Sequence, residues 1–381
     1  MQSMVADWPR RVLMTADTVG GVWMYAVELA HELVRRGVDV HIAAMGGPVK
    51  RCQREELPDV TLHEATWRLE WMHDCWADVR RAGEWLMQIE SDARPDVVHL
   101  NQYAFGALPF CAPTLIVAHS CVLSWWHAVH GCPAPIDWDR YREAVERGLD
   151  GADLVVAPTA AMLGALKRHH GFDRGGVVIP NCRRAALYPP ASKEPIIFAA
   201  GRLWDAAKNL EALESVAPSL RWRVRVAGST AHPDGGIRRA VNVDLAGELA
   251  PHAMAEELGR ASIYALPARY EPFGLSALEA GLCGCALVLG DIPSLREVWE
   301  NAALYVPPDD HHALRGALQR LIADEPLRTD MGHRARMRAL HYSPARMGQR
   351  YMLAYTRATR ARASSRGARA DPDVRRLACA S

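Results

Sequence analysis

The sequence predicts an α/β chain made of two doubly wound parallel sheets, and three observations lead there. Short β-branched runs alternate with amphipathic stretches along most of the chain. The runs are continuously apolar and do not alternate with polar residues, the mark of strands covered on both faces by helices. The rhythm breaks once, over residues 181–194, where Pro189, Pro190 and the following Pro195 interrupt it, and then restarts. A chain of 381 residues is long enough for two such units at about 150 residues per domain.

The elements follow in order. Val12–Ala16 reads as the first strand, and Gly20 and Gly21 turn it into an amphipathic helix over Val22–Arg36 that Gly37 ends. Further strands are expected at Val38–Ala43, Val60–Leu62, Val97–Leu100, Thr114–Ala118, Leu154–Ala157 and Val177–Pro180. After the break they resume at Ile196–Gly201, Arg223–Gly228, Val241–Leu245, Ile263–Leu266, Ala286–Leu289 and Ala303–Val306. Ligands of open α/β sheets bind at the carboxyl edge of the strands, so chemistry is sought in the loops that follow them. A last helical pattern places Met347, Tyr351 and Tyr355, with Met352 beside them, on one apolar stripe after Ser343 and Pro344.

Composition narrows the function classes. Hydrophobic residues make up 49% and charged residues 23%, the balance of a globular protein, and no apolar run approaches the roughly 20 residues of a membrane span. The stretch Met1–Arg11 has no apolar signal core. Nine cysteines include no C-x-x-C pair, which points to a reducing cytoplasm and away from a disulfide framework or zinc knuckle. Net charge is +1, and the basic excess is concentrated in residues 357–381, with seven arginines against two aspartates. Neither globular half carries the basic face of a nucleic-acid binder. The arginine-rich end is expected to be disordered and solvated, with weak contact to an anionic membrane surface as its functional alternative.

The segment Tyr270-Glu271-Pro272-Phe273-Gly274-Leu275-Ser276-Ala277-Leu278-Glu279 is the most informative. It follows a strand, turns at Pro272–Gly274 and enters a helix near Gly274, whose first N–H groups and partial positive charge form a ready phosphate site. Glu271 precedes that helix and Glu279 lies inside it, so the two carboxylates can reach opposite ends of a molecule whose anion sits between them. Asp137-Trp138-Asp139 has the form of a metal-nucleotide motif but reads as solvated charge, and Cys283 and Cys285 read as small core residues. Gly20-Gly21 lacks the spacing of a dinucleotide fingerprint.

This segment resembles the signature of the retaining, glycogen-synthase-like nucleotide-sugar glycosyltransferases, glycosyltransferase family 4, which have the GT-B fold of two Rossmann-like domains facing a cleft. Gly20-Gly21-Val22-Trp23, His119-Ser120, Ile179-Pro180-Asn181, Gly201-Arg202-Leu203 with Lys208, and Arg296-Glu297-Val298 agree in order, so the resemblance spans roughly residues 10–356. It implies an acceptor-side domain over 1–185, a donor domain over 186–343, a crossover helix over 344–356 packing back on the first domain, and the tail over 357–381.

The resemblance also implies roles. Arg202 and Lys208 hold the donor diphosphate; Phe273, Gly274 and Leu275 offer it backbone N–H groups. Glu279 accepts from ribose hydroxyls and Glu271 faces the donor sugar. Gly20 and Gly21 line the opposite wall, and His119 lies beside the reacting sugar. The nucleotide base is expected against walls near Val243–Leu249, and Trp125, Trp126 and Trp138 are stacking candidates on the acceptor side. The expected enzyme is a metal-independent hexosyltransferase with no cofactor, using a nucleotide-diphosphate sugar and a sugar, glycan or lipid-linked acceptor. It is expected in the cytoplasm or at the inner face of the membrane. An epimerase acting on nucleotide sugars and a non-catalytic binding module are the alternatives.

Overall fold

The computed structural model describes residues 8–232 and 235–370. The first sheet contains β1 (Arg11–Asp17), β2 (Asp39–Met45), β3 (Thr61–Glu64), β4 (Val97–Leu100), β5 (Thr114–Val117), β6 (Leu154–Ala157) and β7 (Val177–Val178), in the order β3-β2-β1-β4-β5-β6-β7. The second contains β8 (Glu194–Ala200), β9 (Arg223–Ala227), β10 (Asp244–Gly247), β11 (Ala261–Leu266), β12 (Ala286–Gly290) and β13 (Leu304–Val306), in the order β10-β9-β8-β11-β12-β13. Among the described residues every pairing within these two sheets is parallel.

Parallel strands need crossover helices, and those helices cover both faces, which is why Val97–Leu100, Leu154–Ala157 and Ala286–Gly290 are buried at every position. Each sheet carries two apolar layers, one per face. The order reverses between β1 and β4 in the first sheet and between β8 and β11 in the second. These are the switch points, where adjacent loops part and leave a crevice.

The two units meet along a polar seam. The Cys121 amide donates to the Tyr270 hydroxyl at 3.0 Å, and the Thr159 hydroxyl to the Pro272 carbonyl at 3.0 Å. Glu297 of the second unit accepts from the amides of Ala160 and Ala161 at 2.7 and 3.0 Å, capping a helix start of the first.

The last helix runs Pro344–Ala370. Met347, Tyr351, Met352, Tyr355 and Ala358 are all buried in one layer of the first sheet. An added Cβ at Gly348 would lie 2.1 Å from Glu32 Cγ, so this helix and Gly21–Arg35 approach more closely than a side chain would allow. The Tyr355 hydroxyl lies 2.9 Å from His99 Nδ1. The expectation of a disordered tail from residue 357 is corrected over 357–370, which are helical. Alanine and arginine are strong helix formers, Ala358 continues the apolar stripe, and Arg362 reaches the Phe110 carbonyl and lies 3.5 Å from Asp153. The rest of that tail, residues 371–381, lies outside the described residues.

Candidate active site

The loops at the two switch points converge on one cleft. Asp17 ends β1, Gly20 and Gly21 open the helix Gly21–Arg35, and Asn101 follows β4. Opposite them, Arg202 follows β8, while Tyr270 and Glu271 follow β11 and lead into the helix Leu275–Leu282. The two helix starts face each other: a Cβ built at Gly21 would lie 3.3 Å from Leu275 Cδ1, and one at Gly20 would lie 3.9 Å from Arg202 Nη1. Both positive ends of the helix dipoles therefore point into the same space as a guanidinium.

Lys208 donates to Glu271 Oε2 at 2.5 Å, with both side chains mostly buried. Glu271 Oε1 accepts from the amides of Gly274 at 3.0 Å and Phe273 at 3.5 Å. Gly274 makes this return possible because its φ of +91° belongs to the left-handed region. Phe273 and Gly274 thus turn their N–H groups to Glu271, and the open donors of the helix start begin at Leu275. The Glu271 carboxylate sits where an ammonium and backbone amides meet, the donor set suited to an anion.

Arg202 donates to Asp205 Oδ2 at 2.8 Å, and its guanidinium carbon lies 5.2 Å from the Trp204 ring centroid. Asp205 also accepts from the Trp125 indole at 2.9 Å across the cleft. Burial works against its charge, but Arg202 and Lys208, together with the hydrogen bonds from Trp125 and the Ala207 amide, hold its carboxyl below the usual range. The expected stacking residue Trp125 therefore spends its N–H on the opposite domain. Trp126 packs at 4.4 Å between ring centroids on His130, and Trp138 edge-on at 5.8 Å on Tyr141.

His119 follows β5 and lies 2.8 Å, through Nε2, from Asn101 Oδ1. The Asn101 amide nitrogen donates to the Thr15 carbonyl at 2.5 Å, which fixes Oδ1 as the acceptor and hence Nε2 as the protonated nitrogen of His119. Burial pushes the His119 pKa down to about 3, so the ring is neutral and Nδ1 can only accept. The Tyr25 ring meets it edge-on with centroids 4.4 Å apart.

Glu279 is 6% exposed and bound by Arg183, whose Nε donates to its Oε1 at 2.7 Å. The residues expected near the base, Val243–Leu249, include β10 and the exposed Leu245. The site thus brings together Gly20, Gly21, Arg202, Lys208, Glu271, Phe273, Gly274 and Leu275, with His119 on the first-sheet wall and Glu279 deeper along its helix. Sequence reasoning missed Asp17, Asn101, Asp205 and Arg183. Asp17 and Asn101 do carry a signal, because each stands at the carboxyl end of a strand at the switch point. Among the described residues, no group of three or more His, Cys, Asp or Glu side chains is placed to hold a metal ion, and no helix is long and apolar enough to cross a membrane.

Family models of known proteins match one sheet each. Residues 19–184 match Glycosyltransferase Family 4, and residues 188–338 match Glycosyl transferases group 1. The D-inositol 3-phosphate glycosyltransferase of Kineococcus radiotolerans is 27% identical over 92% of this chain and 93% of its own. Glycogen synthase of Mycobacterium tuberculosis is 28% identical over 65% of each chain. Among solved structures, sucrose-phosphate synthase of Thermosynechococcus elongatus superposes with a TM-score of 0.74 at 20% identity, covering 91% of this chain and 99% of that one. Anabaena HepE, solved with UDP and glucose, gives 0.72 at 16% identity, covering 91% and 99%.

Proposed function

Because the chain belongs to glycosyltransferase family 4, with the GT-B fold, and so transfers sugar from a nucleotide sugar, we propose that it does so with retention of anomeric configuration and without a metal, onto a hydroxyl of a sugar, polyol or lipid-linked glycan. The observation that carries this reading is the meeting of two helix starts beside Arg202 and Lys208. That arrangement suits a diphosphate with a departing sugar, because charge grows on the leaving oxygen as the glycosidic bond breaks.

In this reading residues 1–185 form the acceptor side and 186–343 the donor side. Arg202 grips the diphosphate as a fork, Lys208 as a point charge, and the amides from Leu275 complete the cradle. A phosphate arriving there shares Lys208 with Glu271, which frees that carboxylate to face the donor sugar. Glu279 receives the ribose hydroxyls. His119, neutral and oriented by Asn101, accepts from a sugar hydroxyl through Nδ1. The bond between the anomeric carbon and the diphosphate oxygen breaks, the acceptor oxygen bonds the same face of that carbon, and the leaving oxygen takes the acceptor proton. Closure along the polar seam keeps water from replacing the acceptor.

The neighbour solved with UDP makes UDP-sugars the first donors to test, followed by ADP- and GDP-sugars, with inositol phosphates and glucosides as acceptors. NMR of the product in EDTA reads both claims: the product is expected to keep the donor's anomeric configuration and to form at an undiminished rate. Inversion overturns retention, and activity lost to EDTA and restored by magnesium or manganese overturns metal independence.

A further inference from the structure

Arg183, in the segment that links the two sheets, reaches residues of both domains. It is 5% exposed. Its Nε donates to Glu279 Oε1 at 2.7 Å, and its Nη2 lies 2.6 Å from the same oxygen. Nη2 also donates to the Tyr188 hydroxyl at 2.7 Å, and the guanidinium carbon lies 5.4 Å from the Tyr188 ring centroid. Nη1 lies 3.3 Å from Oε1 of Glu28, a fully buried carboxylate of the helix Gly21–Arg35. The second oxygen of Glu28 is 3.1 Å from Arg184 Nε, and Glu56 lies near enough to feel both arginines, so two arginines stand among three carboxylates.

Three parts of the fold meet at this one side chain: the helix that begins at the glycine loop, the linker, and the helix that begins at Leu275. The Nε and Nη2 contacts of Arg183 both fall on Oε1 of Glu279, and the Tyr188 hydroxyl hydrogen-bonds the same carboxylate. Two nitrogens of a planar, pre-organised guanidinium hold that oxygen in place more closely than a lone ammonium on a flexible stem would. We infer that Arg183 is a positioning residue for the donor: it takes up one oxygen of Glu279 and turns the other toward the ribose hydroxyls. Selectivity for the ribose then depends on an arginine that does not touch the nucleotide. The inference rests on the reading of Glu279 as the ribose acceptor. The Glu28 and Tyr188 contacts brace the guanidinium, and so couple the pose of Glu279 to the helix forming the other wall of the cleft.

The test is a calorimetric titration of UDP, ADP and GDP and of their 2′,3′-dideoxy counterparts into wild type, Arg183→Lys and Glu279→Gln. Wild type is expected to prefer the ribose form of its best ligand by about tenfold or more, the size of one hydrogen bond to a charged group. In Arg183→Lys that preference falls toward one while affinity for the dideoxy form stays within about twofold, because the lost interaction is the one with the missing hydroxyls. A preference kept in Arg183→Lys, or an equal weakening of both forms, overturns the inference and leaves Arg183 a structural role. A preference kept in Glu279→Gln, or absent from wild type, overturns the ribose reading itself. A preference lost in Glu279→Gln but kept in Arg183→Lys overturns only the role of Arg183. Should Arg183→Lys fail to fold, the double variant Arg183→Met/Glu28→Gln, which removes the cation together with one buried carboxylate charge, takes the same reading.

Discussion

Asp17 ends the first strand with Oδ1 on the Val19 amide at 3.0 Å, in a cleft that also holds Arg202. Burial raises its pKa from 3.8 to about 7; the Val19 bond and Arg202 oppose the rise, and Glu70 adds to it. Burial likewise raises Glu70 to about 7 and, in the other sense, lowers His99 and His119 from 6.5 to about 3. The signs are opposite. The contribution of each carboxyl is fully present below its unfolded value and is lost as pH rises toward 7. The contribution of each histidine is present above 6.5 and is lost as pH falls toward 3. Two carboxyls against two histidines leave nearly flat stability between about pH 4.5 and 6.5 from these four groups. Asp17→Asn breaks the balance. Denaturant melts at several pH values should show its stability advantage over wild type growing by roughly 1.4 kcal/mol per pH unit between pH 4 and 7. An advantage independent of pH contradicts the buried, neutral Asp17. At this scale the place of Glu271 before the Gly274 turn and of Glu279 inside the helix was legible, because their spacing is local. Arg183 and Asp205 were not, since the cross-domain partners Glu279 and Trp125 lie 96 and 80 residues away in sequence.

The last helix is where periodicity gave the start correctly and the end too early. Met347, Tyr351 and Tyr355 advertise a stripe at helical spacing, whereas Ala358 and Arg362 continue it in a stretch whose composition resembles a solvated tail. Alanine hides burial because it carries almost no hydrophobic signal, and Arg362 docks through its guanidinium on backbone carbonyls, with an ion pair to Asp153. Truncation after Thr356 therefore removes a buried residue and a docked arginine. We expect a loss of about 1–2 kcal/mol and a melting temperature lower by a few degrees. Truncation after Ser343 strips Met347, Tyr351, Met352 and Tyr355 from the first sheet and should cost several kcal/mol more, since each buried side chain of this size contributes about 1.5–3 kcal/mol. Paired melting curves decide: a first truncation indistinguishable from the full chain would mean that residues 357–370 do not dock.

On the scale of the molecule, each sheet reverses its order once, and the two reversals face each other across the cleft. Continuous apolar runs and one proline-rich interruption made the twofold architecture legible. The contacts that hold the halves in register were not, because Tyr270 with Cys121, Thr159 with Pro272 and Glu297 with Ala160 follow no local pattern. In the proposed reaction the cleft stabilises a departing diphosphate, with Lys208 as a charge aimed at the transition state. The most direct measurement is nucleotide-sugar turnover by Lys208→Met against wild type, with kcat and donor KM determined separately. The variant is expected to show a kcat lower by about 10²–10³ with a much smaller change in donor KM, because charge on the leaving oxygen develops only as the bond breaks. A variant with wild-type kcat would contradict this role of Lys208.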